Sequence, residues 1–236
     1  MTRRAKILVL VGVAALVALV LVGASLLAAR GGEAVVETSG PTVAGAGEVV
    51  AEFDGIPQEG AVLGSPDAPV TLVEYADFQC AFCAQWALGA GRELIEEYVK
   101  DGRLRIELRG LASIGPDSER ALRAAYAAGE QNRLWELSEL LYQQQGRENA
   151  GWVSEELLAA IAREIPGLDA ARMFEEMSSD RVEELIAASA RQAEADEIQG
   201  TPSFLIGPTG GTLERLEVTS VDPEPFREAI ARLLTG

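Results

Sequence analysis

The stretch VTLVEYADFQCAFCAQW, residues 70–86, decides the fold of this chain and contains both of its cysteines, Cys80 and Cys83. The apolar, β-branched run that opens it predicts a buried strand, residues 77–79 predict a tight turn, and the residues from Cys80 onward predict a helix. Unpaired backbone N–H groups and the positive end of the helix dipole stabilise an anion at a helix N-terminus. The sequence therefore favours a thiolate, the reactive form of cysteine, at Cys80.

Cys83 follows Cys80 by about one helical turn, so the two can exist as a dithiol or as a disulfide. Other interpretations of the pair are weaker. A zinc site lacks its usual remaining ligands, because the sequence has no third cysteine and no histidine. A structural disulfide closing so short a loop adds little stability, and a pair of buried apolar cysteines fits the strand–turn–helix pattern poorly. We expect a redox-active pair that needs no metal and no cofactor.

The N-terminal 30 residues have the pattern of a targeting segment. Basic residues lie within residues 1–6, and residues 7–29 form an apolar run that makes about 34 Å of helix, enough for a bilayer core of roughly 30 Å. We predict a single-pass transmembrane signal-anchor in the cell membrane, with a cytoplasmic N-terminus and an extracytoplasmic catalytic domain. The alternative is a signal peptide cleaved near residues 22–24, which would give a secreted protein.

Composition separates the rest of the chain into a linker and a domain. Residues 30–60 are rich in Gly, Ala, Val and Glu without a helical or strand period, which predicts a flexible tether. Residues 61–236 are predicted to form one domain. The whole chain carries 37 acidic and 20 basic residues, a net charge of −17, which argues against nucleic acid as a partner.

Hydrophobic periodicity predicts an α/β fold for this domain. Residues 104–109 alternate apolar and charged side chains, so they predict a half-buried strand that forms a parallel βαβ unit with the first strand. Residues 203–206 and 212–218 predict two further strands, and residues 224–234 predict a final helix. Trp86 lies on the apolar stripe of the cysteine helix and is expected in the core.

Between these two halves, residues 116–198 are rich in Ala, Leu and Glu and predict four or five amphipathic helices. Candidate N-caps are Asp117 or Ser118, Ser154 and Asp169. The predicted order is β-α-β, then the helices, then β-β-α. The helices therefore form a subdomain inserted into a sheet domain.

Two segments carry a resemblance to a known family. The sequence EYADFQCAFC at residues 74–83, the helical insertion and GTPSFLIG at residues 200–207 together resemble the DsbA-like family of thioredoxin-fold thiol-disulfide oxidoreductases, especially its membrane-anchored bacterial members. The resemblance covers roughly residues 61–236. It implies a thioredoxin fold, with Cys80 as the exposed nucleophile and Cys83 as the resolving thiol.

The resemblance also assigns the other candidate site residues. Pro202 matches the family's cis-proline, which leaves the backbone of Thr201 available to hold an extended substrate beside the cysteines. Glu74 matches a buried acid that handles the proton of Cys83. Independently, Glu74 is the only charge in residues 70–76, and a buried carboxylate is costly unless it is paired or functional. Phe82 is expected to contribute to substrate binding near Pro202.

The direction of the reaction is less constrained. Strongly oxidising members carry Pro-His between the cysteines, whereas this chain carries Ala81-Phe82, so we expect a less depressed pKa at Cys80 and a milder oxidant. The residue before the proline is Thr201 and not an aliphatic residue, which is also a feature that resembles isomerising or reducing relatives. The expected function is oxidation of secreted or surface proteins through thiol-disulfide exchange. The alternatives are an isomerase or reductase at the same site and a non-enzymatic client-binding module.

An oxidase must itself be reoxidised. The resemblance implies a membrane partner linked to quinone, of the DsbB or vitamin-K-epoxide-reductase-like type.

Overall fold

The computed structural model describes residues 41–235. The predicted basic flank and transmembrane segment lie outside these residues and stay predictions. In the part of the chain that is described, no helix is both long enough and apolar enough to cross a bilayer.

A six-stranded sheet forms the centre of the domain, with strand order β1-β2-β4-β3-β5-β6. The strands are β1 (Gln58–Glu59), β2 (Val62–Leu63), β3 (Val70–Ala76), β4 (Leu104–Gly110), β5 (Ser203–Pro208) and β6 (Glu214–Leu216). β3 pairs in parallel with β4 and antiparallel with β5, and the other pairs are antiparallel. All seven residues of β3 are buried, as its nearly continuous apolar run predicts.

The cysteine helix, α2, connects the parallel strands β3 and β4. It runs from Ala81 to Val99 and changes to π-helical winding at Ala87–Gly91 and Ile95–Val99. The first change contains two glycines, Gly89 and Gly91, which weaken regular α-helical winding. Trp86 is buried, as expected, and packs against Phe204 and Phe226 with ring centroids 5.1 and 6.0 Å away. The predicted βαβ unit is confirmed.

Five helices form the insertion between β4 and β5, in agreement with the sequence. They are α3 (Pro116–Gly129), α4 (Leu134–Gln143), α5 (Glu155–Glu164), α6 (Ala170–Glu176) and α7 (Asp180–Ala195). Ser154 and Asp169 cap α5 and α6 as predicted, by accepting hydrogen bonds from backbone N–H groups. The prediction of a cap at Asp117 or Ser118 is wrong. Pro116 preorganises the first turn, so the helix begins before both residues.

The prediction of a flexible tether as far as residue 60 is wrong from residue 46 onward. A helix, α1 (Ala46–Phe53), and the hairpin of β1 and β2 occupy this stretch. Val49 and Phe53, one turn apart on α1, are buried in the main core. The amphipathic pattern is only two turns long, and the surrounding Gly and Ala obscured it.

The last element is α8 (Glu224–Thr235), which packs on the sheet through Phe226 and Ile230. With β5 and β6 it completes the predicted ββα half, although β6 is shorter than residues 212–218. The predicted α/β fold with a helical insertion is confirmed for the described residues.

Candidate active site

The two cysteines lie at the N-terminus of α2, where the sequence placed them. Cys80 is the N-cap residue and Cys83 lies in the first turn of the helix. Cys80 is partly exposed, whereas Cys83 is 0% exposed, and both thiols are free. An attacking thiolate from solvent can therefore reach Cys80 and not Cys83.

The two thiols differ strongly in acidity. Hydrogen bonds from the Cys83 thiol, from the Thr201 side chain and from the backbone N–H groups of Cys83 and Phe82 lower the pKa of Cys80 to about 5, against the opposing effect of partial burial. Burial raises the pKa of Cys83, and the negative charges of Cys80 and Glu74 raise it further. At neutral pH the reduced pair is thus a thiolate at Cys80 beside a thiol at Cys83.

The loop before β5 faces the cysteines. The Thr201–Pro202 peptide bond is cis, and Cys80 Sγ lies 3.3 Å from the carbonyl oxygen of Thr201, although 121 residues separate them in sequence. The structure therefore brings together the cysteine pair and both loop residues that the resemblance assigned.

Glu74 lies on the central strand β3 and is 2% exposed. Burial raises the pKa of its carboxyl well above the usual range, and the negative charges of Cys80 and Glu139 raise it further. Among the described residues, its Oε1 atom has no hydrogen-bond partner. Burial therefore favours the protonated form of Glu74, and its charge, when it forms, acts directly on Cys83.

Phe82 is 64% exposed, and among the described residues it is the only large hydrophobic side chain that is exposed to solvent. It lies between the two cysteines, so its ring adds an apolar contact surface beside the reactive sulfur.

Asp77 is a site residue that the sequence analysis treated only as part of a turn. Its buried carboxylate accepts five hydrogen bonds. Oδ1 accepts from Gln79 N at 2.9 Å and Ser118 Oγ at 2.5 Å, and Oδ2 accepts from Ser113 N at 2.9 Å, Ser113 Oγ at 3.1 Å and Ile114 N at 3.1 Å. An aspartate at the first position of a turn after a buried strand was the available signal. Through these hydrogen bonds, Asp77 joins the active-site turn to the loop after β4.

The helical insertion also holds the active-site turn. Gln145 Nε2 donates to the carbonyl oxygens of Phe78, at 2.9 Å, and Cys80, at 3.2 Å. The Gln79 side chain donates to Asn149 Oδ1 and accepts from Asn149 N. The insertion therefore fixes the backbone that presents Cys80.

These features define a class of protein. A thioredoxin-fold sheet presents two thiols of unequal acidity at a helix N-terminus, opposite a loop with a cis-proline and above a buried acid. Within residues 41–235, no group of three or more His, Cys, Asp or Glu side chains is arranged to hold a metal ion.

The thioredoxin family model matches residues 57–230, so the chain belongs to this family, within which it is a DsbA-like thiol-disulfide oxidoreductase. The probable disulfide bond formation protein D of Bacillus cereus is 30% identical over 147 residues, which cover 61% of this chain and 68% of that protein. The resemblance found in the sequence is confirmed.

Solved structures show the same fold. Oxidised BdbD from Bacillus subtilis superimposes with a TM-score of 0.65 at 21% identity, covering 75% of this chain and 93% of that one. A thioredoxin-like oxidoreductase from Silicibacter pomeroyi DSS-3 gives a TM-score of 0.60 at 27% identity, covering 80% and 98%.

The unequal acidity predicts a pH profile for alkylation. We expect the rate at which iodoacetamide modifies reduced Cys80 to rise with a midpoint near pH 5, against an ordinary thiol pKa of 9.0. In Cys83→Ala the midpoint should move upward, because the largest stabilising hydrogen bond is lost. A wild-type midpoint above pH 8 would contradict the geometry.

The same ionisation makes the stability of the reduced protein depend on pH. Because the folded-state pKa of Cys80 is depressed, its stabilising contribution is fully present above the unfolded-state value and is lost as pH falls towards 5. The disulfide form has no such group. The stability of the reduced form relative to the oxidised form should therefore rise between pH 5 and pH 9.

Proposed function

We propose that this protein is an extracytoplasmic oxidase that transfers the disulfide of its Cys-Ala-Phe-Cys site to secreted or surface proteins. The observation that carries this proposal is the stabilised thiolate at Cys80 beside the buried thiol of Cys83. Stabilising the reduced form of a pair makes its disulfide easier to reduce, and so a stronger oxidant.

The reaction begins on the oxidised pair. A client thiolate attacks Cys80 Sγ, the Cys80–Cys83 bond breaks, and a mixed disulfide forms between the client and Cys80. Cys83 leaves with the electron pair and, because its pKa is high, takes a proton from Glu74. A second client thiolate then attacks the client sulfur of the mixed disulfide, and Cys80 leaves as a stable thiolate. Two electrons pass from the client to the pair.

Two neighbouring features support recognition of an unfolded client. The backbone of Thr201 next to Cys80 offers main-chain hydrogen bonds to an extended segment. The exposed ring of Phe82 offers an apolar contact that does not depend on a particular client sequence. Both features suit an enzyme that acts on many proteins.

The proposed location rests on the basic and apolar pattern of residues 1–29, which indicates an anchor in the cell membrane. An oxidase in that compartment needs an electron acceptor after each turnover. We place this role on a quinone-linked membrane protein of the DsbB or vitamin-K-epoxide-reductase-like type. An anchored domain would be held close to such a partner.

A trapping experiment tests the proposal. In Cys83→Ser no thiol next to Cys80 can displace a bound client, so Cys80 should accumulate as mixed disulfides with secreted proteins, seen as reducible adducts on non-reducing gels. Cys80→Ser is the matched control and should give no adducts. Absence of adducts in Cys83→Ser, or equal adducts in both variants, would contradict the proposal.

An isomerase or reductase at the same site is the second candidate, and the threonine at position 201 favours it. Refolding of a scrambled-disulfide protein in a reducing buffer separates the two, since an isomerase accelerates it and an oxidase does not. Membership of an oxidoreductase family sets the non-enzymatic alternative aside.

A further inference from the structure

The loop that carries the cis-proline is fixed at its base by one tyrosine. Tyr75 is fully buried on β3. Its backbone is the register partner of Ser203, the first residue of β5, and its hydroxyl donates a hydrogen bond to Asp196 Oδ2 at 2.6 Å. Asp196, at the end of α7, and Ser203 are the residues on either side of the loop 197–202. One residue of β3 therefore holds both ends of this loop.

Arg109 completes the contact between Tyr75 and Asp196. Its Nη1 atom donates to Tyr75 Oη at 2.9 Å and to Asp196 Oδ2 at 3.2 Å, and its Cζ atom lies 5.5 Å from the centroid of the Tyr75 ring. Its Nε atom donates to Glu107 Oε1 at 2.7 Å, which fixes the guanidinium on β4. Hydrogen bonds between charged groups are about twice as strong as neutral ones. Tyr75, Arg109 and Asp196 form a closed cluster, which we call the latch.

Backbone and apolar contacts hold the same segment. Arg215 on β6 donates through Nη2 to the carbonyl oxygens of Asp196 and, at 3.0 Å, Glu197. Ile198 N donates to Ala193 O at 2.8 Å, and the Ile198 side chain packs against a small apolar cluster on this face of the sheet. The chain is therefore fixed shortly before it reaches the cis peptide bond.

Nearer to the cysteines, the loop has few contacts of its own. Outside the strand pairing, the hydrogen bonds that residues 199–202 make within the described chain go to Cys80 and to neighbouring loop residues. The position of the Thr201 carbonyl oxygen, 3.3 Å from Cys80 Sγ, thus depends on how the base of the loop is held. Tyr75 lies on the strand that leads directly into the Cys80 turn, so the latch fixes the loop relative to the reactive sulfur.

We propose that the latch of Tyr75, Arg109 and Asp196 positions Thr201 against Cys80, and thereby sets both the reactivity of that sulfur and the binding of an extended client. Hydrogen bonds weaken steeply when they are misaligned, so a small displacement of the loop is enough to change both. The latch residues are positioning residues, since they act through Thr201. The part of the inference that concerns the client rests on the proposed function.

The Tyr75 hydroxyl stays protonated in the pH range of the reaction. Burial raises the pKa of Tyr75 to about 12, the hydrogen bond to Asp196 adds to this, and Arg109 opposes it. The hydroxyl therefore remains a hydrogen-bond donor at every pH at which Cys80 titrates. An alkylation profile thus reports on Cys80 without titration of Tyr75.

Tyr75→Phe tests the latch, because it removes the hydroxyl and leaves the ring. Asp196→Ala removes the acceptor from a side chain that is about a third exposed, so it tests the latch even if Tyr75→Phe does not fold. Asp196→Asn keeps an acceptor oxygen for the Tyr75 hydroxyl and is the conservative variant. Tyr98→Phe is the matched control. Tyr98 also lies beside an arginine, with Arg103 Cζ 4.6 Å from its ring centroid, but at the opposite end of α2 from Cys80.

The first measurement is the pH dependence of iodoacetamide modification of Cys80 in the reduced protein. Loss of the latch lets Thr201 move, which weakens the hydrogen bond from its side chain to the Cys80 thiolate. We expect the midpoint to rise by about one pH unit in Tyr75→Phe and Asp196→Ala, and to stay at the wild-type value in Asp196→Asn and Tyr98→Phe.

The second measurement compares a client with a small dithiol. The probe is an unstructured synthetic peptide with two cysteines, the reference is dithiothreitol, and each is oxidised by the disulfide form of the protein. Because only the peptide uses the Thr201 backbone, the ratio of the peptide rate constant to the dithiothreitol rate constant should fall about fivefold in Tyr75→Phe and Asp196→Ala. The ratio should not change in Asp196→Asn or Tyr98→Phe.

The outcomes separate this inference from the proposed function. Wild-type midpoints in both Tyr75→Phe and Asp196→Ala would overturn the latch. Equal shifts in Asp196→Asn and Asp196→Ala, or a shift in Tyr98→Phe as large as that in Tyr75→Phe, would also overturn it, since the specific hydrogen bond would then be immaterial. An unchanged ratio would overturn the part that concerns the client. If the wild-type disulfide oxidises dithiothreitol and not the peptide, the proposed function fails, while the midpoints still test the latch.

Discussion

Replacing Asp77 with alanine is expected to lower the free energy of unfolding by about 4 kcal/mol. The substitution removes a buried carboxylate that accepts five hydrogen bonds and leaves the N–H and hydroxyl donors of Gln79, Ser113, Ile114 and Ser118 without their partner. Urea denaturation of the oxidised protein measures the loss.

Asp101→Ala is the matched control for this prediction. Asp101 lies in the exposed turn between α2 and β4 and pairs with Arg103 at the surface. Its replacement should change the free energy of unfolding by less than about 0.5 kcal/mol. A loss of less than about 1 kcal/mol in Asp77→Ala would show that the turn is held by other contacts.

Replacing Glu74 with glutamine is expected to stabilise the protein while slowing its reaction. The folded-state pKa of Glu74 is raised, so its contribution to stability is fully present below the unfolded-state value of 4.5 and is lost as pH rises. At pH 7 the variant should therefore be more stable than the wild type. The gain should vanish near pH 4.5.

Unfolding curves of the wild type and of Glu74→Gln at several pH values measure this difference. Glu164→Gln, at an exposed position of α5, should stay within about 0.5 kcal/mol of the wild type throughout. Glu74→Gln should also slow reduction by dithiothreitol, because Cys83 loses its proton donor. Equal stability of Glu74→Gln and the wild type at pH 7 would mean that Glu74 is ionised in the fold.

The helical insertion has two roles at the site. Gln145 and Asn149, which follow α4, fix the backbone around Cys80 through hydrogen bonds. Glu139 on α4 lines a small buried cavity together with Glu74, and Glu74 acts on the pKa of Cys83. The insertion thus positions Cys80, which clients reach, and contributes to the surroundings of Cys83, which they do not reach.

Local sequence signals were sufficient for the main elements of the site. The buried strand, the turn and the helix around Cys80 follow from residue types within a single short segment, which short-range periodicity describes well. The position of Pro202 came from the family resemblance, because no local pattern connects it with Cys80 across the insertion. Glu74 was visible as a charge in an otherwise apolar strand.

Other features depend on contacts that a sequence does not display. Glu139 occupies an amphipathic helix in which most glutamates face solvent, and only the packing of α4 on β3 and α2 shows that it is buried. Asp77 gains its importance from Ser113 and Ser118, which are about forty residues away. Helix α1 depends on two apolar anchors that were too few to reveal a period.

The reduction potential of the Cys80–Cys83 pair tests the proposed oxidase most directly. It is measured on the soluble domain by equilibration with glutathione buffers, followed by alkylation and mass spectrometry. The pKa of Cys80, about 5, lies between the values of about 3.5 in DsbA and about 7 in thioredoxin. We expect a potential between about −120 and −180 mV, that of a disulfide donor, whereas a value near about −270 mV would identify a reductase and contradict the proposal.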